Sequence, residues 1–146
     1  MLAADKVKVI KNIDNRFQAY HNIAIKIFNY AELGYLENKS SALLKDTLRD
    51  AGFKIEEGVA NIPTAFVAEA GKGKPVIALL AEFDALPGIT QTPDPFRNEI
   101  PGKTDGHACG HHLFGTASLG SAIAIKEWLE ANKVEGTVRL YGTPAE

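Results

Sequence analysis

The sequence predicts an α/β fold, and three observations lead to that assignment. Apolar residues recur every three or four positions over 6–31, which is the period of an amphipathic helix. After Gly52 the chain changes to short segments rich in β-branched and aromatic residues, which favour strands. A further helical segment at 113–131 then precedes an alternating strand at 136–141. Helices therefore alternate with strands, as they do in α/β domains.

The N-terminal part of the chain is predicted to be helical. One long amphipathic helix is expected over 6–31, because its apolar residues keep the helical period without interruption. After a break, Asn38 or Ser40 is expected to cap a second helix that runs to Asp50. Gly52 closes this helix, since glycine favours the position just beyond a helix end.

Strands are predicted in the middle of the chain, at 53–55, 64–69 and 75–80. The glycines and lysines of 71–74 indicate a tight hairpin turn between the second and third of these strands. The segment 75–80 is almost continuously apolar, which is typical of a strand that is buried on both faces. We therefore expect it to be a central strand of the sheet.

A proline-rich segment at 89–104 has neither helical nor strand periodicity. Irregular loops of sixteen residues are uncommon in compact domains, and they are usually functional or mobile. This loop leads directly into a cluster of residues that bind metals.

That cluster holds three of the four histidines and the only cysteine within six consecutive residues. Thiolate and imidazole ligands together suit zinc, with manganese, cobalt or nickel as alternatives. Cys109 and His111 are the candidate ligands, and because they are two residues apart they should lie on an extended or looped segment. His107 and His112 are candidates either for direct ligation or for orienting a ligand.

Two other chemistries remain open for the cluster. A histidine next to Cys109 can activate its thiol as a nucleophile, as in cysteine hydrolases, although nothing else in the sequence resembles an oxyanion hole. A closed structural metal site needs four protein ligands, and the cluster supplies them only if the backbone folds back sharply. That set would be Cys109, His107, His111 and His112.

Acidic residues follow two of the predicted strands. Glu82 and Asp84 come at the end of the apolar strand and alternate onto one side of it, and Glu146 follows the strand at 136–141. In α/β sheets, ligands bind beyond the carboxyl ends of the strands. Asp84 is therefore placed to accept the N–H of a ligating histidine, and Glu82 is a further candidate near the ligands.

Composition limits the class of protein. A chain of 146 residues corresponds to about one domain, and its net charge of −2 provides no basic patch for nucleic acid. A single cysteine excludes an internal disulfide framework and suits a reducing compartment. The N-terminus lacks the apolar run of a signal peptide, and no segment reaches the roughly 20 apolar residues of a membrane span. We expect a cytoplasmic protein without a membrane or nucleic-acid partner.

Three blocks of sequence resemble a known family. The blocks 81–88, 106–115 and 142–146 are similar to the amidohydrolase branch of the aminoacylase and glutamate-carboxypeptidase superfamily of metallopeptidases, in order and in spacing. The resemblance covers nearly the whole chain but only about the N-terminal third of such an enzyme. It implies that residues 1–146 are the N-terminal portion of a zinc-exopeptidase-like, three-layer α/β/α sheet domain. The C-terminal part and the inserted dimerisation domain are then absent.

The resemblance also implies a metal centre. In the family, five side chains hold two divalent ions, with zinc and manganese expected, and Cys109 and His111 match two of those ligands. Glu146 matches the general base, and Asp84 would orient a ligand. Glu82, His107 and His112 are possible neighbours of the ligands, and His112 stands where relatives commonly carry Asp or Asn.

The implied activity is hydrolysis of an amide bond in N-acyl amino acids, aminobenzoyl-glutamate-like compounds or dipeptides. Two ions about 4 Å apart would clamp the scissile carbonyl and lower the pKa of a bridging water. Full-length relatives are expected to be homodimers with a small-molecule amide substrate. Because the chain carries two of the five ligands, an inactive fragment or a non-catalytic metal-binding module is the alternative.

Overall fold

The computed structural model describes residues 2–146, with side chains from residue 5 onward. Helices and strands alternate along it, which confirms the predicted α/β class. In chain order the elements are α1 (Leu2–Asp14), α2 (Phe17–Tyr30), α3 (Asn38–Asp50), β1 (Lys54–Glu57), β2 (Phe66–Lys72), β3 (Val76–Glu82), β4 (Leu86–Pro87), β5 (Asp105–Gly106), α4 (His111–Asn132) and β6 (Gly136–Thr143).

The main sheet of the described residues is mixed and has the strand order β1-β2-β6-β3. β1 and β6 are both antiparallel to β2, whereas β3 and β6 run parallel and are connected through α4. In the parallel pair, Glu82 lies opposite Thr143. The carboxyl ends of β3 and β6 therefore meet at one edge of the sheet, which is where the acidic candidates were expected.

Two predictions about β3 are wrong for this sheet. The turn at 71–74 does not join a hairpin, because β6 lies between β2 and β3. β3 is also an edge strand among residues 2–146, with Val76, Ile77 and Leu80 exposed by 47%, 45% and 53%. The hairpin is absent because the crossover through α4 places β6 beside β3, and no residue of the turn or of β3 encodes that pairing. β3 is an edge because its other side has no strand partner among residues 2–146.

The single helix predicted over 6–31 is two helices, α1 and α2, separated at Asn15 and Arg16. Arg16 leaves the helical region with φ −104° and ψ 7°. Its guanidinium group donates two hydrogen bonds to the Glu127 carboxylate of α4, at 2.8 and 2.6 Å. The break lets both N-terminal helices follow the surface of α4, which both of them contact.

Helix α3 begins and ends where the sequence predicts, but its N-terminus is capped from elsewhere in the chain. Neither Asn38 nor Ser40 acts as the cap. Instead, the Glu32 carboxylate accepts hydrogen bonds from the backbone N–H groups of Lys39 and Ser40, at 3.0 and 2.9 Å. A carboxylate in this position satisfies free N–H groups and complements the helix dipole.

Helices of the described residues pack against one face of the sheet. The other face carries the Arg139–Glu69 ion pair, at 2.5 Å, and the exposed apolar side chains of Val76 and Leu80, so residues 2–146 supply two of the three expected layers. No helix in this range is long and apolar enough to cross a membrane. The core consists of Ile23, Ile27, Leu44, Leu48, Phe53, Phe66, Ala68, Ala70, Ala81, Phe83, Leu119, Ala122, Ile123, Val138 and Leu140.

Candidate functional site

His111 is the centre of the candidate site. It is the first residue of α4 and is nearly buried, with 6% of its surface exposed. Its Nδ1 lies 2.7 Å from Asp84 Oδ1. Its Nε2 lies 3.0 Å from Glu82 Oε2 and 3.7 Å from Glu146 Oε2. The structure thus brings four of the seven candidate residues together around one imidazole ring.

The backbone explains why these side chains converge. The parallel alignment of β3 and β6 brings Glu82 and Glu146 close together, and Asp84 lies just beyond β3. α4 begins after Gly110, whose φ of 106° is a conformation that glycine adopts readily. One turn later, a Cβ on Gly115 would lie 2.5 Å from the Glu82 carbonyl oxygen. This glycine therefore allows α4 to approach the end of β3 closely enough for His111 to reach the carboxylates.

The electrostatics of this arrangement favour a bound cation. A neutral imidazole has one N–H, and if Nδ1 donates it to Asp84, then Nε2 presents a lone pair toward Glu82 and Glu146. Ligand atoms of Glu82, His111 and Glu146 all lie within 4.8 Å of one another. One imidazole nitrogen and two carboxylates form a donor set that suits zinc or manganese, so these residues fit a divalent ion.

Cys109 lies outside this group. It precedes α4 and is exposed, and its thiol is not among the three ligand atoms that converge. Its role as a metal ligand stays a prediction. Among the side chains that the structure describes, the cluster does not form the closed four-ligand site that was the structural alternative, since His111 groups with carboxylates instead.

His107, which is buried, and His112, which is partly buried, form a pair beside His111 and its carboxylate neighbours. The ring centroids are 5.0 Å apart, and Phe28 of α2 packs against both rings. His107 Nε2 lies 3.1 Å from the Ile27 carbonyl oxygen and donates to it. The Nδ1 atoms of both histidines are buried without a hydrogen-bond partner among the described residues. These contacts tie the segment before α4 to α2.

Burial determines the charge state of this pair. Desolvation, helped by the neighbouring His112, lowers the pKa of His107 to about 4. Burial and the nearby His111 also lower the pKa of His112. Both rings are therefore neutral near pH 7, and they add no positive charge that would oppose a cation at Glu82 and His111.

The buried histidines should make the metal-free chain sensitive to acid. The unfolded chain binds a proton at His107 below about pH 6.5, whereas the folded chain resists protonation down to about pH 4. The stabilisation from neutral His107 is thus complete above pH 6.5, and at most about 3 kcal/mol is lost as the pH falls toward 4. Urea unfolding is measured from pH 7 to 4.5 with a chelator present. The free energy of unfolding should fall less steeply with pH in His107→Phe than in the wild type. Equal pH slopes in the two proteins would contradict this assignment.

Asp84→Asn should weaken metal binding without unfolding the chain. Asp84 is buried, and its carboxylate keeps the proton of His111 on Nδ1, which leaves Nε2 free as a ligand. Loss of such an orienting carboxylate typically lowers metal affinity about 10- to 100-fold. Zinc titration calorimetry measures the change, with Asp46→Asn as the control because Asp46 is exposed and pairs with Arg49. Unchanged affinity in Asp84→Asn would show that His111 needs no such support.

The loop at 89–104 is ordered by its own hydrogen bonds. The Gln91 side chain donates to the Phe96 carbonyl and accepts from the Asn98 N–H, and the Thr90 hydroxyl accepts from the Ile100 N–H. The loop forms one wall of a cavity of about 750 Å³. Arg97, Lys103 and His107 are among the residues that line this cavity, which places it next to the candidate site.

Sequence reasoning missed Glu37. Its side chain is completely buried and accepts hydrogen bonds from the Thr64 hydroxyl and from the backbone N–H of Ala145, the residue before Glu146. No local pattern could have identified it, because a glutamate just before a helix is ordinarily exposed. The signal lies in contacts between distant parts of the chain.

Comparison with known proteins shows consistent similarity to metallopeptidases and amidohydrolases. The chain is 47% identical to one of the subunits of p-aminobenzoyl-glutamate hydrolase of Escherichia coli over 131 residues, which are 88% of this chain and 27% of that protein. It is 36% identical to thermostable carboxypeptidase 1 of Saccharolobus solfataricus over 145 residues, which are 97% of this chain and 36% of that protein. No family model matches the chain.

Solved structures agree with the sequence relatives. A Bacillus subtilis protein, described as a dinuclear metal binding peptidase from the M20 family, superposes with a TM-score of 0.68 at 29% identity. The superposition covers 88% of this chain and 36% of that structure. The chain therefore spans about a quarter to a third of the length of the relatives that it matches.

Proposed function

Because this chain belongs to the M20 family of peptidases and amidohydrolases, we propose that it supplies part of the active site of a metal-dependent amidohydrolase. The substrates would be N-acyl amino acids, aminobenzoyl-glutamate-like compounds or dipeptides. One observation carries the proposal: Glu82, His111 and Glu146 converge from three separate elements at one edge of the sheet. The name of the Escherichia coli relative supports the aminobenzoyl-glutamate class in particular.

Three side chains of this chain would be metal ligands. His111 would bind through Nε2, with Glu82 as a carboxylate ligand and Cys109 as the thiolate ligand that the resemblance implies. Divalent ions, zinc or manganese, supply polarisation of the scissile carbonyl and a lower pKa for the attacking water when they are bound. Asp84 would hold the His111 ring by its Nδ1–H, at 2.7 Å, so that Nε2 keeps its lone pair.

Glu146 would be the general base. Its carboxylate would take a proton from the attacking water and deliver it to the nitrogen of the leaving amine. Its Oε2 lies 3.7 Å from His111 Nε2, so the carboxylate lies beside the ligands, where a general base contacts the attacking water.

The cavity beside His107 would hold the amino-acid part of the substrate. Lys103 lines it, and its ammonium group donates to the Asn29 carbonyl at 3.2 Å, which leaves other N–H groups available. Arg97 also lines the cavity and pairs with Glu99. Glu99 lines the same cavity and offsets the charge of Arg97, so Lys103 is the cation that would favour an anionic ligand such as a carboxylate.

Residues 1–146 would be the N-terminal portion of the catalytic domain. The relatives are three to four times longer, and we propose that the other metal ligands lie in the part of such a protein beyond the matched region. A homodimer in the cytoplasm is the expected form of the whole protein. Among residues 2–146 one edge of β3 has no strand partner, which is consistent with a sheet that continues.

Metal analysis and hydrolysis assays test the proposal. Zinc and manganese are measured by elemental analysis in the purified 146-residue chain, and hydrolysis of p-aminobenzoyl-glutamate and dipeptides is assayed with and without these ions. The same two measurements are made on any longer protein that contains the chain. In the longer protein we expect bound metal and hydrolysis that a chelator abolishes. A folded 146-residue chain without metal or turnover would support the inactive fragment, and a longer protein that binds metal without turnover would support a non-catalytic module. Turnover that resists chelators and leaves an acyl group on Cys109 would support the cysteine hydrolase.

A further inference from the structure

Glu37 is a completely buried carboxylate that joins three parts of the chain. It lies at the start of α3, and its Oε2 accepts a hydrogen bond from Thr64 Oγ1 at 3.0 Å. Its Oε1 accepts from the backbone N–H of Ala145 at 2.9 Å. Burial of a carboxylate is costly unless it makes such hydrogen bonds, so the contact with Ala145 is an integral part of the fold.

Ala145 has a backbone conformation that needs support. Its φ is +56°, in the left-handed region that costs a non-glycine residue about 1 kcal/mol or more. Gly34 lies against it so closely that a Cβ on Gly34 would be 2.9 Å from the Ala145 Cβ. Gly34 thus holds Ala145 by contact, and Glu37 holds it by a hydrogen bond.

Strand pairing does not fix the position of Glu146, because β6 ends at Thr143 and the residues after it have no strand partner among the described residues. The conformation of Ala145 therefore determines where the Glu146 side chain lies relative to His111. We propose that Glu37 is a positioning residue: its hydrogen bond to Ala145 fixes the backbone that directs the Glu146 carboxylate toward His111 and Glu82. The inference rests on the proposed function, which gives Glu146 its role.

Two substitutions of Glu37 separate hydrogen bonding from charge. In Glu37→Gln, the amide oxygen can still accept from the Ala145 N–H, and the amide nitrogen can donate to the Thr64 hydroxyl, which can act as an acceptor. Glu37→Leu has similar volume and makes neither bond. Thr64→Val is the matched control, because it removes the other hydrogen bond of Glu37 and leaves the one to Ala145.

The primary readout needs neither metal nor activity. Amide hydrogen exchange of Ala145 and 15N relaxation of Glu146 are measured by NMR in the metal-free chain. We expect exchange at Ala145 to be at least about 10-fold faster in Glu37→Leu, and within about 3-fold of the wild type in Glu37→Gln and Thr64→Val. Zinc affinity should fall about 10-fold in Glu37→Leu, as for other residues that orient ligands.

Each outcome decides the matter. The inference is overturned if the Ala145 amide stays protected and Glu146 stays ordered in Glu37→Leu. It is also overturned if Glu37→Gln and Glu37→Leu lose the same protection at Ala145, since charge would then be the cause. If Glu37→Leu does not fold, Gly34→Ala replaces it, because its new methyl group displaces Ala145 while Glu37 is intact. Normal protection of Ala145 in Gly34→Ala would likewise overturn it. A longer protein that contains this chain and binds no zinc refutes the proposed function, and the exchange test on the metal-free chain stays valid.

Discussion

Glu146→Gln is expected to lower kcat about 10³-fold in the metal-loaded enzyme that contains this chain, because a carboxamide cannot take the proton that a general base removes from water. The fold should be unaffected. The Glu146 side chain is 61% exposed, and the polar contact that the structure gives it is the one to His111, at 3.7 Å. Metal content should fall little if Glu146 acts as a base, and substantially if it is a ligand.

Initial rates with p-aminobenzoyl-glutamate and metal content measured on the same samples distinguish those two roles. Glu130→Gln is the matched control, since its side chain is equally exposed, at 61%, and pairs with Lys126 at the far end of α4. It should retain wild-type activity. An active Glu146→Gln, together with an inactive Cys109→Ser that still binds metal, would transfer the central role from the carboxylate to the thiol.

Those parts of the site that depend on strand ends could be predicted from the sequence. Glu82, Asp84 and Glu146 lie at the carboxyl ends of two strands, and parallel strands end at the same edge of a sheet, so the edge on which they lie could be predicted. Their proximity along that edge depends on the pairing of β6 with β3, which could not be predicted. The bounds of α3 were predictable for a similar reason, because its apolar period and closing glycine are local.

Features that depend on distant pairs of residues could not be predicted. The helix break at Arg16 is accompanied by an ion pair with Glu127, 111 residues away, and Glu37 acts through Ala145, 108 residues away. The insertion of β6 between β2 and β3 is of the same kind. Cys109 is the opposite case. A local cluster in the sequence identified it as a ligand, whereas its thiol is exposed in the structure.

Gly142→Ala is expected to destabilise the chain by about 3 kcal/mol, through overpacking of the core. Gly142 of β6 lies opposite Phe66 of β2. A Cβ at this position would lie 2.2 Å from Cε1 and 2.4 Å from Cδ1 of the Phe66 ring. The ring is buried and stacks on Phe83, with centroids 6.2 Å apart, so it cannot move into solvent to relieve the clash. Urea unfolding at pH 7 measures the loss as a lower midpoint.

A double variant shows whether the ring is the cause. Phe66→Leu removes the ring and costs stability alone, but Gly142→Ala should then add much less than its 3 kcal/mol, roughly 1 kcal/mol, because the added methyl group gains space. Fully additive losses would contradict the clash. The consequence extends to the site, because Phe83 lies between Glu82 and Asp84 and Gly142 precedes the segment that ends in Glu146. Displacement of the Phe66 ring should therefore weaken zinc binding in the molecules that remain folded.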